Sequence, residues 1–225
     1  MINKVPVKKL VEFNRFTERQ QQTFVNNLKI PKKPKSDKDE GGNYWTRSLS
    51  GLGRAFKENN NDKIREKIEA LTEVYETADL KRTKVMYQRN LEILHIYEDF
   101  DFSIWRPMGN LYFLTKTQEP LSIKNVPVQV IPHHVFTFGD KDNLHVGGIW
   151  FVVWLDGFKS SDLGTYSEAL YKYLSHYYSK YKADPNYCLI VDAATTEVVR
   201  YQQILDNKVP SLLQTSIDAL NKYLN

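Results

Sequence analysis

The first hundred residues place their apolar side chains at helical intervals, and the remainder switches to the alternation and short apolar runs of strands. "VKKLVEFNRF" and "TERQQQTFVNNLK" carry helical spacing, with Phe24, Val25 and Leu28 on one face. Thr17 and Gln20 stand at the spacing of a capping box, which satisfies two free amides at a helix start. Trp45, Leu49, Leu52 and Phe56 form the next stripe, in a helix that Gly51 and Gly53 each weaken by roughly 1 kcal/mol relative to alanine. Ile64, Ile68, Leu71 and Tyr75 make another, and Tyr87, Leu91 and Leu94 the last before residue 98. Between them "IPKKPKSDKDEGG", rich in charge, proline and glycine, reads as a flexible charged loop over 30–43.

From Leu111 the period becomes 2. "LYFLTK" and "VPVQVIPHHVFTF" read as strands, the second interrupted or at an edge near Pro132. "HVGGIWFVVWL" is apolar without a break, so both of its faces are expected to be covered. "SDLGTYSEALYKYLSHYYSKY" is a helix long enough for a right-handed parallel crossover. Strands "YCLIVDA" and "EVVRY" follow across the turn "ATTE". The last helix lies in "PSLLQTSIDALNKYL", with Ser211 and Gln214 at capping-box spacing. The expected class is α+β: a helical region over 1–100, then a β-β-β-α-β-β-α region over 101–225 built on one mixed sheet with packed helices.

Composition narrows the chemistry. A single cysteine, Cys188, leaves no intrachain disulfide and no cysteine cluster for zinc. It sits in a strand core, where a thiol is ordinarily inert. The start lacks a signal-peptide apolar run and nothing approaches about 20 consecutive apolar residues, so a cytoplasmic protein with no membrane partner is the expectation. The net charge of +4 is uneven: residues 1–100 carry 20 Lys and Arg against 15 Asp and Glu, and residues 101–225 carry 11 against 12. Any polyanion contact is therefore expected in the first half.

There the basic residues cluster. Lys81, Arg82, Lys84 and Arg89 share one helix, and Arg82 and Arg89, seven apart, share a face. Arg47 and Arg54 repeat that spacing on an earlier helix, and "KIPKKPK" adds a basic stretch at 29–35. Such a set suits phosphate contacts. The competing expectation pairs the arginines with Glu66, Glu69, Glu73 and Glu76 on the neighbouring helix.

Three of the five histidines fall in "IPHHVFTFGDKDNLHVGGIWFVVWLDG" (131–157). An acid–base or metal site there would draw on His133, His134, His145, Asp140, Asp142 and Asp156. Taken as a hairpin with a loop over Gly139–Asn143, the segment sets His145 opposite Thr137, His134 opposite Gly148 and His133 opposite Ile149. Adjacent His133 and His134 then face opposite ways, and His133 and His145 lie roughly 13 Å apart at a rise of about 3.3 Å. Metal ligands sit about 2 Å from their ion. Only a bulge at Gly147–Gly148 would gather them. The structural reading is simpler: packing histidines, turn-forming Asp140 and Asp142, and an Asp156–Gly157 turn. Asp192 closes a strand and is expected to cap the turn "DAATTE". Neither a phosphate-binding glycine loop nor a Gly-x-Ser-x-Gly elbow is present. No catalytic residue and no cofactor are assigned.

In layout, residues 111–193 resemble the core of the PD-(D/E)XK nucleases, a β-β-β-α-β unit preceded by a helix. "FVVWLDGFKSSDLGTYSEALYKYL" looks like the strand and following Q-x-x-x-Y helix of the RecB-like members. The resemblance implies a metal held by an aspartate of the second strand and an E-x-K of the third. Here "IWFVVWL" has neither acid nor lysine, Asp156 and Lys159 come only in the turn, and the glutamine position falls near Leu163 or Thr165. What it implies is an inactive relative. Three functional expectations follow. The first is a non-enzymatic binding protein contacting nucleic acid, or a protein partner, through its basic helices. The second is a hydrolase or inactive nuclease-like relative with a dispersed acidic and histidine site. The third is a protein-interaction module presenting Tyr171 and Tyr178 on the outer face of the helix at 162–181.

Overall fold

The computed structural model describes residues 2–31, 44–140 and 143–224. Most of the charged stretch at 30–43, with the lysines at 32–35, and Asp142 lie outside the described residues. The fold is α+β, with eight α-helices and two mixed sheets among the described residues. A short strand β1 (Val5–Pro6) leads into α1 (Val7–Phe13) and α2 (Glu18–Lys29), then α3 (Thr46–Glu58), α4 (Asp62–Glu76) and α5 (Lys81–Ile96). A 3-10 turn at Phe102–Trp105 precedes β2 (Tyr112–Leu114), β3 (Leu121–Ile123), β4 (Val126–Gln129), β5 (His134–Asp140) and β6 (Asn143–Val152). The chain closes through α6 (Ser160–Tyr177), β7 (Lys182–Asp192), β8 (Val198–Arg200), α7 (Tyr201–Leu205) and α8 (Leu213–Leu224).

The large sheet has the order β2-β5-β6-β7-β8. Its one parallel pair is β6 with β7, joined by α6; its other pairs are antiparallel. The stretch expected as one interrupted strand is two strands in two sheets. Pro132, with no amide to donate, lies between them. β4 joins a small sheet of order β1-β4-β3, and β5 joins the large one.

Both faces of the large sheet are covered, as the unbroken apolar run of β6 requires. Val135, Val146, Val152, Cys188 and Ile190 face a core completed by α6, α8, α1, α2 and the small sheet. Phe136, Phe138, Ile149, Phe151, Leu189 and Val191 face a second core, completed by α3, α4, α5 and the 3-10 turn. The helical first half is therefore divided between the two faces: α1 and α2 pack with the C-terminal helices, while α3–α5 cover the opposite side.

Three local expectations are corrected. The β5–β6 hairpin pairs Asp140 with Asn143, Phe138 with His145 and His134 with Ile149, one residue out of the expected register. The irregularity at Gly147 exists, but it lies between Val146 and Gly148 on the β7 side and leaves the β5 pairing continuous. Tyr171 and Tyr178 are not on an outer face. Tyr171 stacks on Tyr201 at 4.0 Å, and Tyr178 is buried, its hydroxyl donating to Thr115 O at 2.8 Å. Finally, the Thr17–Gln20 box forms, whereas Gln214 turns to Glu168 and leaves Ser211 alone to accept from the Leu213 amide.

Candidate ligand-binding crevice

The carboxyl ends of parallel strands leave a crevice that helices do not fill, and ligands of α/β sheets settle there. At this end of β6 the start of α3 is drawn down onto α5. Asn90, fully buried on α5, accepts from the Ser48 amide at 3.0 Å and the Ser48 hydroxyl at 2.8 Å. It donates to Tyr44 O at 2.9 Å and Met86 O at 2.8 Å. This clamp places Trp45 between two pockets.

The first pocket, about 370 Å³, is walled by Trp45, Trp150, Phe151 and Tyr166, with Lys8 and Ser50 at its rim. His133 reaches it. The Phe151 amide donates to His133 Nδ1 at 3.2 Å, so the neutral ring carries its proton on Nε2. That nitrogen has no hydrogen-bond partner among the described residues. Burial, with the neighbouring His134 and Lys116, pushes the His133 pKa down to about 3, which keeps the ring neutral. Tyr166 is 2% exposed, and its hydroxyl likewise finds no partner among the described residues. Burial raises its pKa.

The second pocket, about 340 Å³, lies across Trp45 and is lined by Arg89, Glu92, Ile93, Ile96, Trp154 and Leu155 among others. Ile96 and Leu155 are exposed there. Beside it Arg89 donates to the Tyr44 hydroxyl at 3.4 Å, and the Arg47 guanidinium lies 5.0 Å from the Tyr87 ring centre. Arg15 closes the turn after β6, 4.1 Å over the Trp154 ring and paired with Asp162.

The basic candidates divide. Arg54 is paired with Glu58 at 2.9 Å and reaches Glu66 at 3.9 Å. Arg47, Lys81, Arg82, Lys84 and Arg89 have no ion pair among the described residues. Lys84 leans over Tyr75, Lys81 and Arg82 are exposed, and Arg82 lies two turns from Arg89 on the same side of α5.

The histidines and aspartates are not one site. Asp140, paired with Asn143 at the start of β6, and Asp156, in the turn after its end, lie at opposite ends of that strand. His145 is 3.5 Å from Asp184 and stacks on Phe138. His133 and His134 do come together, against Gly53 of α3, because His133 precedes the strand and escapes its alternation. His134 Nε2 donates to Gly53 O at 2.8 Å, and the missing side chain of Gly53, not that of Gly148, makes room for both rings. No group of three or more His, Cys, Asp or Glu among the described residues could hold a metal ion. Asp192 accepts from the Ala194 amide at 3.0 Å as a turn cap, and burial raises its carboxyl. Cys188 is fully buried.

Sequence reasoning missed Trp150 and Tyr166, and read Trp45 only as part of a core stripe. No spacing signal joins residues so far apart in the chain; a tryptophan followed by Thr and Arg at the head of a basic helix is the nearest hint. Among the described residues no helix is long and apolar enough to cross a membrane. Comparison with known protein families, with curated proteins and with solved structures finds no match for this chain.

Proposed function

We propose that the protein is a non-enzymatic, cytoplasmic binding protein that contacts nucleic acid through the face formed by the start of α3 and by α5. One observation carries the reading: Arg47, Lys81, Arg82, Lys84 and Arg89 have no ion pair among the described residues, although α4, rich in glutamate, lies alongside. Cations on neighbouring helices that no described carboxylate pairs are what phosphates need, and arginines beside Tyr44 and Tyr87 resemble the aromatic and cationic lining of single-strand grooves. The test is binding of labelled single- and double-stranded DNA and RNA at about 50 and 200 mM salt. With five phosphate contacts, affinity for duplex should fall a few hundredfold, roughly, over that range. Arg82→Glu with Arg89→Glu should lower the salt slope by about 2, whereas Arg54→Glu, at a position already neutralised, should change it little. Absence of binding at the lower salt would remove the reading.

A second reading, a hydrolase or inactive nuclease-like relative, is favoured by the succession α5, β2, β5, β6, α6 and β7, which follows the helix-first β-β-β-α-β layout. β6 offers no acid or lysine to such a site. Incubation of labelled DNA with Mg²⁺ or Mn²⁺ should leave it intact; cleavage abolished by a chelator would replace the binding reading.

A further inference from the structure

We infer that the pocket between α1, α3 and β6 receives a nucleobase, sandwiched among Trp45, Trp150 and Phe151 and read by the His133 Nε2–H and the Tyr166 hydroxyl. The inference deepens the nucleic-acid reading and rests on it for the strand that delivers the base.

Four features point to a planar heteroaromatic ring. The walls are aromatic, and stacking is the interaction that accepts any base. The volume, about 370 Å³, lies near the lower end of small-ligand sites, about 300–1,000 Å³, which suits a single ring system and not an extended molecule. The two polar groups are the third feature. Both line the pocket and neither has a partner among the described residues, so an aliphatic guest would strip their water without replacing a hydrogen bond. A base edge offers ring-nitrogen and carbonyl acceptors to the Nε2–H, and the hydroxyl can both donate and accept. The ring stays neutral at working pH, so it acts as a fixed donor. The fourth feature is placement. Thr46 lines the mouth and Arg47 follows it, Arg89 lines the pocket on the other side of Trp45, and Lys8 stands at the rim without an ion pair among the described residues. A backbone following these cations passes the opening, and one unstacked base enters.

The experiment compares three probes on the whole protein: a labelled single-stranded homo-oligonucleotide, the same strand with abasic positions, and the four nucleoside monophosphates. Strand binding is read by anisotropy and nucleotide binding by calorimetry. The base-bearing strand should bind about tenfold or more tightly than the abasic one. His133→Phe with Tyr166→Phe, which keeps the aromatic packing and removes both polar contacts, should erase most of that difference. Ser50→Trp, at the exposed rim, should block the mouth without touching the core and give the same loss. Equal affinity for base-bearing and abasic strands would overturn the base pocket while leaving the phosphate contact standing. Nucleotide binding lost in both variants, with no strand binding, would uphold the pocket for free nucleotides and overturn the strand reading. No binding of any probe would overturn both.

Discussion

Asn90 gives both ends of its side chain two partners each; three of the four bonds, to Ser48 and Tyr44, hold the start of α3 on α5, and the fourth, to Met86 O, lies within α5. Asn90→Ala leaves the Ser48 amide and the Tyr44 and Met86 carbonyls short of partners in a buried place. It should cost about 1–3 kcal/mol in urea denaturation and loosen Trp45 along with it. A pair of histidines makes the second residue-scale prediction. Burial holds His133 at about 3 and His134 at about 4, from a usual value of 6.5, and the charges of Lys116 and, for His134, Lys57 push the same way. The unfolded chain takes up protons below about pH 6.5 that the folded chain refuses. Their contribution is therefore full above that pH and is lost as the pH falls toward 4, at up to about 1.4 kcal/mol per unit for each histidine. Thermal melts between pH 7.5 and 4.5 should show this slope, shallower in His133→Phe; a slope unchanged by that substitution would mean a solvated ring. The sequence reads these histidines as packing groups. It assigned them to opposite faces because strand alternation was extended one residue too far, to a position that lies outside β5.

At the scale of elements, the hairpin shows why periodicity can find strands and miss their pairing. Register is set by polarity when one face is wet, since a slip of one residue exchanges the faces. Here Val135, Phe136, Phe138, Val146 and Ile149 are buried on both faces, so polarity does not discriminate between adjacent registers. The tyrosines of α6 went astray for a related reason. Spacing shows which side of a helix a residue occupies, but the residues that cover that side, Tyr201 and the stretch at Thr115–Pro120, come from far along the chain. Gly164 marks another such crossing: a Cβ there would stand 2.1 Å from Pro210 O. Gly164→Ala should therefore destabilise by about 1–3 kcal/mol or more, read as a lower urea midpoint with an unchanged slope. A neutral outcome would mean that the segment before α8 yields freely.

Across the whole molecule, the large sheet is insulated by two cores, and each draws on residues from both halves of the chain. Leu10, Val11, Phe13 and Val25 lie in the core completed by α6 and α8, while Leu52, Phe56 and Leu94 cover the other face. A fragment of residues 101–225 would bare the face of β6 that α3–α5 cover and strip α1 and α2 from the core on the other face. With each large apolar side chain worth about 1.5–3 kcal/mol on burial, the loss exceeds the roughly 5–15 kcal/mol that holds a typical domain together. The fragment should lack the dispersed amide spectrum of a folded sheet, whereas a well-dispersed one would show that the first hundred residues are dispensable to the core.

By itself the sequence determined the class, the position of most helices and strands, the covered faces of β6 and the basic character of α5, because each follows from local periodicity, charge or the reach of a single helix. Tertiary structure alone decided the sharing of α1–α5 between two faces, the hairpin register, and which cations meet a carboxylate among the described residues. It also decided that Trp45, His133, Trp150 and Tyr166 meet at one pocket. These depend on contacts between residues remote in the chain, and such contacts are selected by the packing of the whole, not by the spacing of any part.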